Sequence, residues 1–167
     1  MQASSDKVLH VAGKPLKRRS GCPVSISLET LGDHWSLLIV RDLMVRGYRT
    51  FKDFQGSSEK IASNILADRL RKLESSGIIV AEAEKKDARK VNYRLTEKGI
   101  DLAPVILELL VWGARNEETA VPCVFIDKIE TQREQFLAEV RRRWSDRDLT
   151  PLLQEFKVRK ETGRKKR

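Results

Sequence analysis

The residues best suited to touch a ligand lie within one segment, IASNILADRLRKLESSG, residues 61–77. On an ideal helix with Leu66 at zero, Leu70 falls at about 40° and Leu73 at about −20°. Those leucines make a narrow apolar seam, flanked by Ile65 and Arg69. Asn64 (about 160°), Arg71 (about 140°), Asp68 (about 200°) and Lys72 (about 240°) occupy the far side. Asn pairs bidentately with adenine and Arg with guanine, each pair contributing roughly 1–3 kcal/mol of discrimination. Ser63 is expected to cap the amino end, where backbone N–H groups can take a phosphate, and Gly77 to stop the helix. Ser63, Asn64, Ala67, Asp68, Arg71 and Lys72 are therefore candidate contacts to the bases and backbone of a DNA duplex. The bland alternative is that any amphipathic surface helix has a polar side. Asp68 either accepts from a cytosine amino group or holds Arg71 in place, and Arg69, at the border of the seam, is read as a structural pin.

A second cationic group follows in IIVAEAEKKDARKVNYRLT, residues 78–96. Ile78, Ile79 and Val80 open one strand, and Val91, Tyr93 and Leu95 alternate on the next. The connection between them carries Lys85, Lys86, Arg89 and Lys90, which are candidate phosphate contacts, although charged hairpin tips also occur without function. Catalytic chemistry finds little footing. His10 and His34 are the only histidines, with no acid pair or nucleophile pattern beside them, and no glycine-rich phosphate loop, HExxH or GxSxG is present. An enzyme is not expected. Cys22 and Cys123 form no CxxC pair, which argues against a structural zinc site, and no metal or other cofactor is expected.

The elements that must position these groups are legible from periodicity and stop signals. Pro23 starts a helix that ends near Gly32, and a second runs from about Asp33 to Gly47, apolar around most of its circumference. Residues 48–50 suit a short strand and 51–54 a short helix ending at Gly56. After the hairpin, Thr96 caps a long helix whose stripe contains Leu102, Val105, Ile106, Leu109, Leu110 and Trp112, with Pro104 as a possible bend. Beyond Gly113 come an apolar segment at 124–126, a helix over about 130–144 and a short amphipathic stretch over 149–158. Three regions result: a basic arm over 1–20, a folded unit over 21–115, and a helical extension with a basic tail over 116–167. With 33 Lys+Arg against 24 Asp+Glu, the formal charge of +9 favours polyanionic partners. No apolar run reaches the roughly 20 residues that span a bilayer, and no secretory leader is evident, so no membrane contact is expected and the cytoplasm is the expected compartment.

Helix, helix, short strand and helix, polar-faced helix, hairpin, helix is the order of a winged helix-turn-helix. The fold class expected is mainly α with a small β-hairpin wing, plus a carboxy-terminal helical extension. The chain also resembles the HxlR-type winged-helix regulators. The resemblance rests on Cys22-Pro23-Val24, LETLGDHWSLLIVRDL, RTFKDF, IASNILADRLRKLESSGII, VNYRLTEKG and PVILELLVWG, in family order from about residue 21 to 113. It implies a homodimeric repressor or activator of transcription, paired through residues 22–32 and 97–114. Leu28, Leu102, Val105, Ile106, Leu109, Leu110 and Trp112 are the candidate interface residues. Members often carry a proline-rich wing where this chain has KKDARK, and its last fifty or so residues exceed a typical member.

Cys22 has two readings. In some members of the resembling family a cysteine at this Cys-Pro position senses oxidants or electrophiles, and Lys17, Arg18 and Arg19 favour the reactive thiolate. Alternatively it is a small apolar residue with no signalling role. The partners expected are a pseudo-palindromic duplex operator, a second copy of the chain and an oxidant or small-molecule effector. A winged-helix module that binds another protein and no DNA is the rival of a different class.

Overall fold

A computed structural model describes residues 20–84 and 87–152, with the side chains of residues 85–89 outside that description. The order of elements is α1 Pro23–Leu31, α2 Ser36–Arg41, α3 Phe51–Gln55, α4 Ser63–Ser75, β1 Ile79–Glu84, β2 Asp87–Leu95, α5 Glu97–Ile100, α6 Ala103–Asn116, α7 Cys123–Thr131 and α8 Arg133–Ser145. The strands form one antiparallel hairpin, with Ile79 opposite Leu95 and Ala81 opposite Tyr93. This is the expected architecture, mainly helical with a β-hairpin wing.

The entry to α2 shows why it starts where it does. The Asp33 carboxylate accepts from the Trp35 and Ser36 amides at 2.9 Å each and from the Ser36 hydroxyl at 2.5 Å. Asp33 thus satisfies N–H groups that have no partner within the helix. At its other end α2 widens into a π-helical turn over Asp42–Arg46, which stops at Gly47 with φ 71°. A side chain is excluded at Gly47 twice over. The left-handed φ disfavours any Cβ, and an added one would lie 2.3 Å from the Leu149 carbonyl oxygen.

The core is one cluster in which Leu66, Leu70 and Leu73 of α4 meet Phe54, Ile39, Val40, Leu43, Ile79, Leu95 and Ile100. The three-leucine seam is therefore the buried face of α4, as its angular spacing predicted. Val140 of α8 belongs to the same cluster, and the Trp144 indole N–H donates to the Leu95 carbonyl at 2.8 Å. The carboxy-terminal helices consequently pack on the winged-helix core.

Several local expectations are corrected. Residues 48–50 form no strand; Thr50 makes a single bridge to Asn92, and the Tyr93 amide donates to the Arg49 carbonyl at 2.7 Å. Three residues facing a hairpin edge are too few for a ladder. The long helix after Thr96 is two helices, because Pro104 sits in the first turn of α6, where its missing N–H costs nothing. Thr96 does cap the first, its hydroxyl accepting from the Gly99 amide at 3.1 Å. Residues 124–126 lie inside α7, and the break before α8 falls at Gln132. The stretch from 149 is not helical through residue 152, and its remainder lies outside the described residues.

Candidate nucleic-acid interface

The turn before α4 is built by the start of α3. Thr50 and Asp53 form a reciprocal cap in which the Thr50 hydroxyl accepts from the Asp53 amide and the Asp53 carboxylate from the Thr50 amide. The Arg49 amide also donates to that carboxylate at 3.0 Å. Burial alone would raise the Asp53 carboxyl; these hydrogen bonds outweigh it and hold the group below its ordinary value. Leaving α3, Gln55 donates from Nε2 to the Ser63 hydroxyl at 2.5 Å.

Ser63 is therefore tied to α3 by its side chain. Ala62 is the residue at the cap position of α4, and it supplies no side-chain bond to the first-turn amides. Ser63 is the first helical residue, not the cap, because the extended backbone of Ala62 (φ −67°, ψ 142°) already marks the cap position. The amino end of α4 therefore presents uncapped N–H groups and a positive dipole end beside exposed Ser63 and Asn64.

Along the outer face, Asn64, Asp68 and Arg71 are exposed, and Ala67 is half-buried. The Arg71 side chain is 78% exposed, with Asp68 4.0 Å away and the Ala67 carbonyl 3.4 Å from its Nε. Lys72 is drawn to the opposite edge, its ammonium 3.7 Å from Asp33, while Arg69 lies 3.5 Å from the same carboxylate. Arg69 thus ties α4 to the start of α2, the structural role expected of it. Burial works to raise the Asp33 carboxyl, but hydrogen bonds from the Ser36 side chain and the Trp35 and Ser36 amides, with the charge of Arg69, bring it below its ordinary value.

On the wing, Lys90 is exposed on β2. Lys85 and Lys86 lie outside the described residues, and of Arg89 only the strand backbone is described. Cys22 stands exposed at the cap position of α1, its amide donating to the Ser20 hydroxyl at 3.0 Å. The basic neighbours 17–19 lie outside the described residues, as does the arm over 1–19.

A second surface lies on α1 and α6. Leu28 is 57% exposed and Trp112 60%, with Val105 and Leu109 also open to solvent. Leu102 and Leu110 are half-buried, whereas Ile106 is buried inside the subunit and is not available to a partner. Val24, missing from the candidate set, is exposed on the same helix as Leu28; Leu107, also absent from it, is buried. The stripe drawn from spacing mixed two faces of α6, since a helix apolar on more than half its surface does not reveal which part its own core consumes.

Among the described residues no cluster of His, Cys, Asp and Glu is placed to hold a metal. None of the helices among them is long and apolar enough to cross a membrane.

Comparison with known proteins bears on this geometry. The model of the family described as HxlR-like helix-turn-helix matches residues 30–120. YdeP of Bacillus subtilis, an HTH-type transcriptional regulator, is 36% identical over 113 residues, covering 68% of this chain and 83% of its own. YodB, an HTH-type transcriptional regulator of the same organism, is 35% identical over 93 residues, 55% of this chain and 82% of its own. Among solved structures, PA1607 aligns with a TM-score of 0.57 at 38% identity, covering 63% of this chain and 72% of that one. The redox regulator HypR in its oxidized form aligns with a TM-score of 0.53 at 32% identity, over 59% of this chain and all (100%) of that one.

Proposed function

The chain belongs to the HxlR-like helix-turn-helix family, whose members are transcriptional regulators and not enzymes, and we propose that two copies of it read a pseudo-palindromic DNA site through α4. The observation that carries this reading is the outer face of α4: an uncapped, exposed amino end continuous with Asn64 and a loosely held Arg71. An α-helix fits the major groove, and its first turns reach base edges while its N–H groups approach a phosphate. Asn64 and Arg71 are the base-reading pair. Ser63 and Ala67 border the backbone, Asp68 orients Arg71, and Lys72 reaches phosphate only by leaving Asp33. Lys85, Lys86, Arg89 and Lys90 supply wing contacts, which make affinity fall steeply with salt.

Pairing through the exposed apolar residues of α1 and α6 sets the two recognition helices about one DNA turn, roughly 34 Å, apart. Leu28, Val105, Leu109 and Trp112 form the centre of that contact, joined at its edge by Leu102 and Leu110. Trp112→Asp is expected to convert the dimer to a monomer by light scattering and to abolish operator binding. Cys22 lies beside this surface, and the similarity to a redox regulator supports oxidation there as the input. Diamide treatment is expected to alter DNA affinity in the wild type and leave Cys22→Ser unaffected.

The deciding experiment is fluorescence anisotropy on the DNA upstream of the protein's own coding region, at two salt concentrations, with wild type and an Asn64→Ala/Arg71→Ala double variant. Tight, salt-sensitive binding lost in the variant supports a sequence-reading helix. Absent binding, or equal binding by the variant, removes that assignment and favours a protein-binding module.

A further inference from the structure

Where α8 meets the base of the wing, the packing leaves a cavity of about 260 Å³. Its lining combines the buried apolar residues Leu43, Leu95, Ile100 and Val140 with the aromatic residues Trp144 and Tyr93. The cationic residues around it outnumber the acidic ones, with Arg49, Arg94, Arg143 and Arg147 against Glu82 and Asp148. Six of its fifteen lining residues come from α8 and the segment after it, beyond the residues 30–120 that match the family model. The cavity is therefore a property of this chain's extension.

We infer that this cavity binds a small aromatic carboxylate, its ring against Trp144 and its carboxylate on Arg94. Arg94 is placed for the task. Its guanidinium lies 6.0 Å from the centroid of the Trp144 ring, and its Nε is buried without a hydrogen-bond partner. Glu82, at 3.5 Å, offers that Nε charge attraction but no aligned bond, and the same carboxylate is shared with Arg147 at 3.7 Å. Arg49 contributes a second cation held in place, donating from one terminal nitrogen to the Leu43 and Tyr48 carbonyls at 2.7 and 2.6 Å. Burial, and after it the positive charge of Arg94, lowers the basicity of Arg49. A bound anion would offset the repulsion that Arg94 exerts on Arg49, which Asp53 offsets only in part.

The aromatic part of the ligand follows from the lining. The Trp144 ring is held in one orientation by its N–H, which donates to the Leu95 carbonyl. An inorganic anion would satisfy the arginines but leave that ring and the apolar lining uncovered. An engineered apolar cavity of about 150 Å³ accepts benzene. The larger volume here suits one ring with a carboxylate, held by the planar fork that guanidinium presents to carboxylates. Such a ligand would join β2 of the wing to α8. Its effect on operator affinity rests on the DNA-binding reading above, whereas the binding itself does not.

The test is isothermal titration calorimetry of the full-length protein with sodium benzoate and with salicylate. Benzyl alcohol serves as the uncharged isostere and inorganic phosphate as the non-aromatic anion. Saturable binding of one carboxylate per chain is expected, with benzyl alcohol and phosphate weaker by about tenfold or more, since charge-assisted bidentate contacts carry the difference. Arg94→Gln should weaken the carboxylates by about tenfold while leaving benzyl alcohol unchanged. Should Arg94→Gln unfold, Arg147→Gln at the exposed rim is expected to weaken benzoate by about threefold with the fold intact, as judged by circular dichroism. No saturable binding below about 10 mM, equal binding of benzoate and benzyl alcohol, or a folded Arg94→Gln that binds as the wild type overturns the proposal. These readouts involve no DNA. Loss of operator binding with benzoate binding intact would count against the regulatory reading alone.

Discussion

Two helices of thirteen residues, α4 and α8, use arginine in opposite ways. On α8 the guanidinium groups are consumed by carboxylates of the same chain. Arg142 reaches Glu139 and Asp146 at 2.8 Å, Arg143 reaches Glu139 at 2.7 Å, Arg141 reaches Asp101 at 2.5 Å, and Arg133 pairs with Glu108. The Glu139 carboxyl is drawn down to about 2 by hydrogen bonds from Arg142 and Arg143. On α4, Arg69 and Lys72 are held by Asp33, but Arg71 points outward with its nearest carboxylate oxygen 4.0 Å away. A phosphate or base can engage Arg71 without first displacing a strong partner. Positive charge by itself does not distinguish the two helices; whether a carboxylate of the same chain already holds it does.

Substitutions on the two helices sharpen this contrast. The largest effect is expected from the seam shared with the core. Leu70→Ala should lower unfolding stability by about 2–5 kcal/mol in chemical denaturation. Val140→Ala, which removes less volume from the same cluster, should cost less. Similar losses at both positions would mean that the extension is as integral to the core as α4 itself.

For DNA affinity the order depends on charge. Asn64→Ala/Arg71→Ala should weaken operator binding by about 2 kcal/mol or more, given roughly 1–3 kcal/mol per base contact. Arg141→Gln/Arg142→Gln should change it by less than about threefold, because those cations are already paired. Equal losses from the two double variants would break the contrast and point to a diffuse electrostatic surface.

The smallest expected effect is acid sensitivity at the joint between α2 and α4. Asp33 sits below its ordinary carboxyl value of 3.8, so its charged form is favoured in the fold. The stability it contributes is fully present above that value and is lost as pH falls through the lower folded one. Wild-type melting temperature should therefore drop between neutral pH and pH values below about 4, and Asp33→Asn should show a smaller drop over the same window. An identical drop in both would place the acid sensitivity elsewhere.

The two faces of α4 were legible because their signal is local. The angular separation of Leu66, Leu70 and Leu73 from Asn64, Asp68 and Arg71 is a property of helix geometry, and burial reproduces it. Thr96 as a cap and the pairing of the hairpin strands were readable for the same reason. Ser63 was misread as the cap because residue type favours serine there, whereas the helix starts one residue earlier than that preference implies, with Ala62 in the extended cap conformation. Ile106 was misplaced because only packing decides which part of an apolar helix faces its own core.

By itself the sequence determined the order of elements, the seam of α4, the position of the wing and the surplus of cations, since each depends on residue type and spacing within one element. Spacing within α8 already pairs Arg142 and Arg143 with Glu139, but tertiary structure alone decided the fate of Arg69, Arg141 and Arg133, through Asp33, Asp101 and Glu108 far along the chain. It also decided that α8 closes a cavity against the wing. Those long-range ion pairs and the cavity are relations between distant residues, and one-dimensional periodicity carries no record of them.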